Sequence, residues 1–107
     1  VRRQVRLALG AVRDLEQITA YLERHASAAK ADEVLARLER RCGELANFPE
    51  RGNLLPELQE LGIRDYRELH EQPYRIIYRV LGPDVVVYIV ADARRDFRTL
   101  LEQRLLR

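Results

Sequence analysis

The chain has 107 residues, 47% of them hydrophobic and 34% charged, with a formal net charge of +2. That size and balance suit one folded domain, residues 1–107, and exclude a disordered chain or two full domains. The longest apolar run, Val85 to Ala91, falls far below the roughly 20 residues that cross a bilayer, so neither a transmembrane helix nor a membrane partner is expected.

From the amino end, Val1 to Arg6 carries charge without an apolar stretch behind it, so no secretory leader is expected there. Residues 3 to 9 alternate, with Val5, Leu7 and Leu9 on one side, which is the period of a half-buried strand ended by Gly10. From Ala11 the apolar positions Val12, Leu15, Ile18 and Leu22 recur at helical spacing and predict an amphipathic helix closing near His25. His25, at that helix end, suits the helix dipole. Ser27 is placed to cap a second helix, whose apolar stripe is Leu35, Leu38, Cys42 and Leu45 with Val34 beside it. So short a connection makes the two helices an antiparallel hairpin. Cys42, the one cysteine, lies on the stripe as a core residue; a lone thiol closes no internal disulfide and fits a cytoplasmic setting.

Phe48 to Asn53 breaks the second helix, and Pro56 and Gly62 punctuate a loop in which no helix is expected. Three strand-like runs follow, Ile63 to Leu69, Tyr74 to Val80 and Val85 to Ala91, separated by the turn sequences Glu71-Gln72-Pro73 and Gly82-Pro83-Asp84. They predict an antiparallel meander. Phe97, Leu100, Leu101 and Leu105 then give the tail, Asp96 to Arg107, the spacing of a last helix. The expected fold is α+β: strand, two-helix hairpin, three-stranded antiparallel meander and C-terminal helix, with the hairpin on one face of the sheet.

The cations are nearly all arginine, Lys30 being the sole lysine. Codon usage in a genome rich in G and C produces the same bias, so only the placement of the arginines speaks for function. Alternation puts Tyr74, Ile76, Tyr78 and Val80 on the core face and Arg75, Ile77 and Arg79 on the other, with the arginines about 7 Å apart. If that face is open the pair would hold a phosphate or an acidic peptide; the alternative is a solvated face with ion pairs to Glu68 or Asp65. Arg94, Arg95 and Arg98 follow the last strand, where they would join Arg75 and Arg79 in one concave patch, with Asp92 and Asp96 placed to neutralise it. His70 is the one side chain near this patch whose ordinary pKa is close to neutrality, which would suit a general acid or base or simply a solvated turn. No Gly-rich phosphate loop, metal-ligand spacing or nucleophile elbow is present, so no cofactor or metal is expected. Asp32, Glu33, Glu39 and Glu44 along the second helix argue against a DNA-reading helix-turn-helix.

Several of these segments, in this order, resemble the ParE/RelE superfamily of toxins from bacterial type II toxin–antitoxin systems. The first helix, Ala11 to Leu22 with Asp14-Leu15, resembles the family's first helix. Phe48-Pro49-Glu50-Arg51-Gly52, Pro56-Glu57-Leu58 and Gly62-Ile63-Arg64 are similar to its loop into the sheet, and Pro73 to Val80 and Asp92-Ala93-Arg94-Arg95-Asp96 to its last strands. The resemblance implies a toxin held inactive by a cognate antitoxin that wraps it, with any promoter DNA contacted through the antitoxin. ParE-like members block DNA gyrase; RelE-like members enter the ribosome and cut mRNA. For the nuclease branch, Arg75 and Arg95 (or Arg94) match the family's phosphate-stabilising arginines, and His70 would have to move the proton. The family's acid–base tyrosine falls at Leu101 or nearby, and its lysines at residues such as Tyr66, Arg67 and Glu68. That departure favours the ParE-like branch, with Arg75, Arg79, Arg94, Arg95 and Arg98 as binding residues; a non-toxic binding module on the same fold is the remaining alternative.

Overall fold

Two apolar layers, one on each face of a mixed sheet, organise the chain. The computed structural model describes residues 2–106; Val1 and Arg107, included in the expected domain and tail, lie outside it. The elements are β1 (Gln4–Leu7), α1 (Leu9–His25), α2 (Ala28–Gly43), β2 (Asn53–Leu54), α3 (Pro56–Gln59), β3 (Tyr66–Glu71), β4 (Tyr74–Leu81), β5 (Asp84–Asp92) and α4 (Phe97–Leu105). The strands lie in the order β1-β5-β4-β3-β2, with β1 parallel to β5 and every other pair antiparallel. The helical hairpin therefore carries the chain from β1 at one edge of the sheet to β2 at the other, and the meander brings it back to β5 beside β1.

The hairpin forms as its sequence predicts. Ser27 Oγ accepts from the Lys30 N–H at 3.0 Å, filling one donor that the first turn of α2 leaves unpaired, a cap worth about 1 kcal/mol. Val34, Leu38, Cys42 and Leu45 then pack with Ala11 and Leu15 of α1 on Ile76, Tyr78, Val85 and Val87. Burial, with Glu39 adding to it, pushes the Cys42 thiol up to about 11.

Four expectations change. The first helix begins at Leu9, two residues early, because Ala8 N–H is taken by Val87 O and Ala8 O accepts from both Ala11 and Val12; Gly10 is thus helical, and Leu7 and Leu9 are exposed. The loop after α2 holds the two-residue strand β2, paired to β3, and one helical turn, α3, which Pro56 opens with the pre-set φ a first turn requires. β3 starts at Tyr66 rather than Ile63. Most consequential, the sheet face away from the hairpin is covered: Leu55, Leu58, Phe97, Leu100 and Leu101 pack on Ile77, Ile89 and Ala91 there.

β5 serves both layers through a bulge. Ile77 pairs with Ile89 while Tyr78 pairs with Val87, leaving Tyr88 as the extra residue. Before it Val85 and Val87 face the hairpin; after it Val90 does, and Ile89 and Ala91 face α4.

β1 pairs with β5 only as far as Val87, so the edge of β5 beyond it lacks a strand neighbour. Two side chains from distant elements take that place. Asp14 Oδ2 accepts from the Val90 N–H at 3.0 Å, and Arg104 donates to Tyr88 O at 2.8 Å. The two are joined to each other by a bidentate pair at 3.1 and 3.0 Å. Gly10 permits this approach, since a Cβ there would stand 2.5 Å from Arg104 Nη2.

Gly52 is a second close approach. Its N–H donates to Tyr78 Oη at 2.9 Å, and a Cβ would stand 2.5 Å from the carbonyl oxygen of Glu68. Gly52→Ala should therefore lower stability by about 1–3 kcal/mol in urea denaturation, since a backbone carbonyl has no rotamer by which to yield. Cys42 should resist iodoacetamide at pH 8 in the native chain and react at once in denaturant, as mass spectrometry would show; rapid native labelling would contradict its burial.

Candidate functional site

The arginines expected to share one concave patch are divided by the structure into two groups of different character. Arg75 is only 8% exposed. Its Nε donates to Glu68 at 2.6 Å, and Nη1 and Nη2 grip Glu57 of α3 at 2.9 and 3.0 Å. Phe97, the first residue of α4, covers the guanidinium, whose central carbon lies 4.0 Å from the ring centroid. The expected open face is therefore shut at Arg75, which has its full complement of carboxylates and no room for a phosphate. Burial opposes charge on Arg75, but the bonds from Glu57 and Glu68 outweigh it and hold its pKa above the ordinary value. Reciprocally, the Arg75 hydrogen bonds hold Glu57 below its ordinary 4.5. Neither reading left open by the sequence holds whole: Glu68 is the ion-pair partner, but on a buried face and not a solvated one. Arg79 is half-buried over the Tyr66 ring, and His70, half-exposed, stands 3.4 Å from Glu68, an oxygen that Arg75 already engages.

The second group lies where β5 turns into α4. Asp92 accepts from the Arg94 backbone N–H and from its Nε and Nη2 at 2.9, 2.9 and 2.7 Å, and these bonds hold its carboxyl below the usual range. Asp96 caps α4 by accepting from Thr99 N–H and hydroxyl at 3.2 and 2.8 Å. Arg98 is drawn aside to Glu60 of the loop after α3, at 2.8 Å. Arg95 is exposed, and its side chain makes no ion pair or hydrogen bond among the described residues.

Arg94 and Arg95 stand at the rim of a cleft of about 380 Å³ between α1 and the end of β5. Ile18, Tyr21, Tyr74 and Val90 form its walls. Asp14, at its base, is held by Arg104 and Val90, and Asp92 by Arg94, so the acids are neutralised and the mouth keeps the charge of Arg95. Burial, and after it the nearby Asp92 charge, raises the Tyr74 phenol, which keeps that wall neutral. Sequence reasoning placed Arg94 and Arg95 after the last strand, in one patch with Arg75 and Arg79, and missed the α1 wall. Its signal was present in Asp14, Gln17, Ile18 and Tyr21, which follow one helical row, yet only Ile18 was apolar enough to enter a periodicity argument.

Arg75→Ala should leave Glu68 buried without a partner, a change that costs about 3–5 kcal/mol. The same variant tests the acid limb. A carboxyl depressed in the folded state stabilises the fold above 4.5, its ordinary value, and that stability is lost as the pH falls below it. Urea unfolding from pH 6 to pH 3 should therefore show a steeper acid loss in the wild type than in the variant. Equal slopes would remove the Glu57–Arg75 bond from the pH dependence.

Comparison with known proteins agrees with this architecture. Residues 5–97 match the family described as ParE toxin of type II toxin-antitoxin system, parDE. The fold is similar to a chain of the chromosomal ParDE system from P. aeruginosa, with a TM-score of 0.72 at 16% identity, over 85% of this chain and 96% of that one. It is also similar to a chain of the toxin–antitoxin complex RelBE2 from Mycobacterium tuberculosis, with a TM-score of 0.64 at 25% identity, over 86% of this chain and 99% of that one. No curated protein is detectably similar in sequence. With the family's pattern spanning residues 5–97 of the 107, the chain belongs to the ParE toxin family of type II toxin–antitoxin systems.

Proposed function

We propose that this toxin acts in the cytoplasm as a ParE-like inhibitor of DNA gyrase, binding its target without cutting a substrate, and that a cognate antitoxin neutralises it. The observation that carries this reading is the state of Arg75. A ribonuclease of the RelE kind needs cations open to a scissile phosphate and a group that moves a proton. Here the strand arginine is covered by Phe97 and neutralised by two carboxylates, and Leu101, where the resemblance places the acid–base group, is 1% exposed in the α4 layer. What is left accessible is suited to binding: the Arg94–Arg95 turn and the cleft walled by Tyr21 and Tyr74. Arg79 and Arg98, the other proposed contacts, already have a ring and a carboxylate as neighbours and are secondary in this reading. The antitoxin partner is supported by the likeness to chains of a ParDE system and of the RelBE2 toxin–antitoxin complex.

The ribonuclease reading keeps two supports, the likeness to RelBE2 and the exposed side of His70, and it gives a different outcome in the same experiment. The chain is induced alone in bacteria, and incorporation of labelled thymidine and labelled amino acid is followed over the first minutes. DNA synthesis should fall first, and Arg94→Ala with Arg95→Ala should delay that fall while costing no more than the roughly 0–1 kcal/mol of an exposed ion pair in urea denaturation. Protein synthesis falling first would replace the gyrase reading with the ribosomal one and make His70 the residue to mutate. Unaffected growth at verified soluble expression would leave a non-toxic binding module.

A further inference from the structure

The floor of the cleft beside Arg95 is a strand edge that this chain leaves unfinished. Within a strand a residue's N–H and C=O point to the same edge, and successive residues alternate. Ala93 N–H goes to Pro73 O, just before β4, and Val90 N–H goes the other way, to Asp14. Val90 C=O and Asp92 N–H therefore share the edge that β1 occupies upstream. β1 ends opposite Val87, and neither group has a hydrogen-bond partner among the described residues. Ile18 and Tyr21 of α1 and Tyr74 of β4 wall this edge, and Tyr21 is 57% exposed. Of the two arginines in the lining, Arg94 is bound to Asp92, which leaves Arg95 for an incoming charge.

We propose that the cleft takes an extended segment of the toxin's target, running parallel to β5, with an apolar side chain against Tyr21 and Tyr74 and a carboxylate on Arg95. That the segment belongs to gyrase rests on the gyrase reading; the chemistry of the cleft does not. The direction follows from the bonds on offer. One residue of a parallel segment, opposite Ala91, donates its N–H to Val90 O and accepts from Asp92 N–H, and β1 meets β5 in that same direction. An antiparallel segment would need Val90 N–H as well, and Asp14 already holds it. The same bond disfavours a second copy of this chain, since a two-fold axis would set β5 against β5 antiparallel. A helix bonds its own backbone groups and would leave the floor unpaired. A nucleic acid strand has no backbone amide and carbonyl for this edge, and it brings a charge at every phosphate against one unengaged arginine in the lining.

The test uses the purified full chain, isotope-labelled for NMR, and the acetylated, amidated pentapeptide Asp-Val-Phe-Val-Asp. Titration should saturably shift the amide signals of Tyr21, Val90, Asp92 and Arg95. Two altered peptides separate the causes: one has lysine in place of both aspartates, and one has its three central amides methylated, which removes the main-chain donors. Each should bind about tenfold more weakly. Tyr21→Ala should cost about tenfold in affinity, and Arg95→Ala about threefold, together with the preference for aspartate over lysine. Both side chains are exposed, so neither variant endangers the fold. Absence of shifts, shifts confined to another surface, indifference to methylation, or the same amides answering to a short oligo-dT and not to the peptide would overturn the proposal. Purified gyrase holoenzyme that binds the toxin should displace the peptide, and binding without displacement counts against the proposal. Gyrase that does not bind at all ends the gyrase reading and leaves the peptide result standing.

Discussion

The bidentate pair between Asp14 and Arg104 resolves the main backbone problem of this fold. β1 is four residues long and β5 nine, so a parallel neighbour covers only half of a strand that is buried on both faces. A buried peptide group without a partner costs about 1–3 kcal/mol, and Tyr88 O and Val90 N–H would be such groups. One carboxylate and one guanidinium answer both, and by bonding to each other they avoid leaving a charge uncompensated in a partly dry site. The same contact determines where α1 and α4 can sit, because each helix contributes one partner. The cleft beside Arg95 is a by-product of that solution: it opens at the stretch of β5 where a side chain has taken the place of a strand.

Arg75 follows the same physics with a different result for function. An arginine on a strand reads as an available cation until the layer above it is known. Phe97 lies over it and Glu57 reaches it from α3, and both belong to segments whose position depends on α4 being anchored. Closing that face converts a candidate effector residue into an internal tie between β3, β4 and α3. Of the five arginines that the sequence grouped in one patch, the exposed ones are Arg94, Arg95 and Arg98, after β5. Asp92 fixes the conformation of that turn by accepting three hydrogen bonds from Arg94, so Arg95 is carried on a rigid base although its own side chain is unengaged.

Much of the fold was legible in the sequence for reasons that are local. The Ser27 cap, the Val34, Leu38, Cys42 and Leu45 stripe, the alternation of Tyr74 to Val80 and the turn residues around Gly82 each act within a few positions. The features that escaped depend on partners far along the chain. Gly10 looked like a terminator because its helical role is visible only with Arg104 beside it, and the single turn at Pro56 to Gln59 is too short to show a period. The bulge at Tyr88 was hidden in an apolar run that offers no alternation to interrupt. For the site, the Arg94–Arg95 turn was found from composition and position, whereas the burial of Arg75 required knowing that Phe97 crosses over it. Tyr21 and Gln17 became a wall of the cleft only once β1 was seen to end at Leu7.

The bulge also makes β5 the place where the chain keeps its parity. Upstream of Tyr88 the odd-numbered side chains belong to the hairpin layer; downstream they belong to the layer beneath α4. Both ends of the strand are tied, one by the register with β1 and the other by the Asp92 hook and the Asp96 cap, so the bulge is where the strand holds spare length. Removing Tyr88 would restore unbroken alternation, leaving Val87 and Ile89 adjacent on opposite faces, as Tyr78 and Ile77 already are across from them, with Val90 and Ala91 on their present sides. The surplus residue thus changes which numbers face inward without changing the side on which the rest of the strand, and the corner after it, is presented.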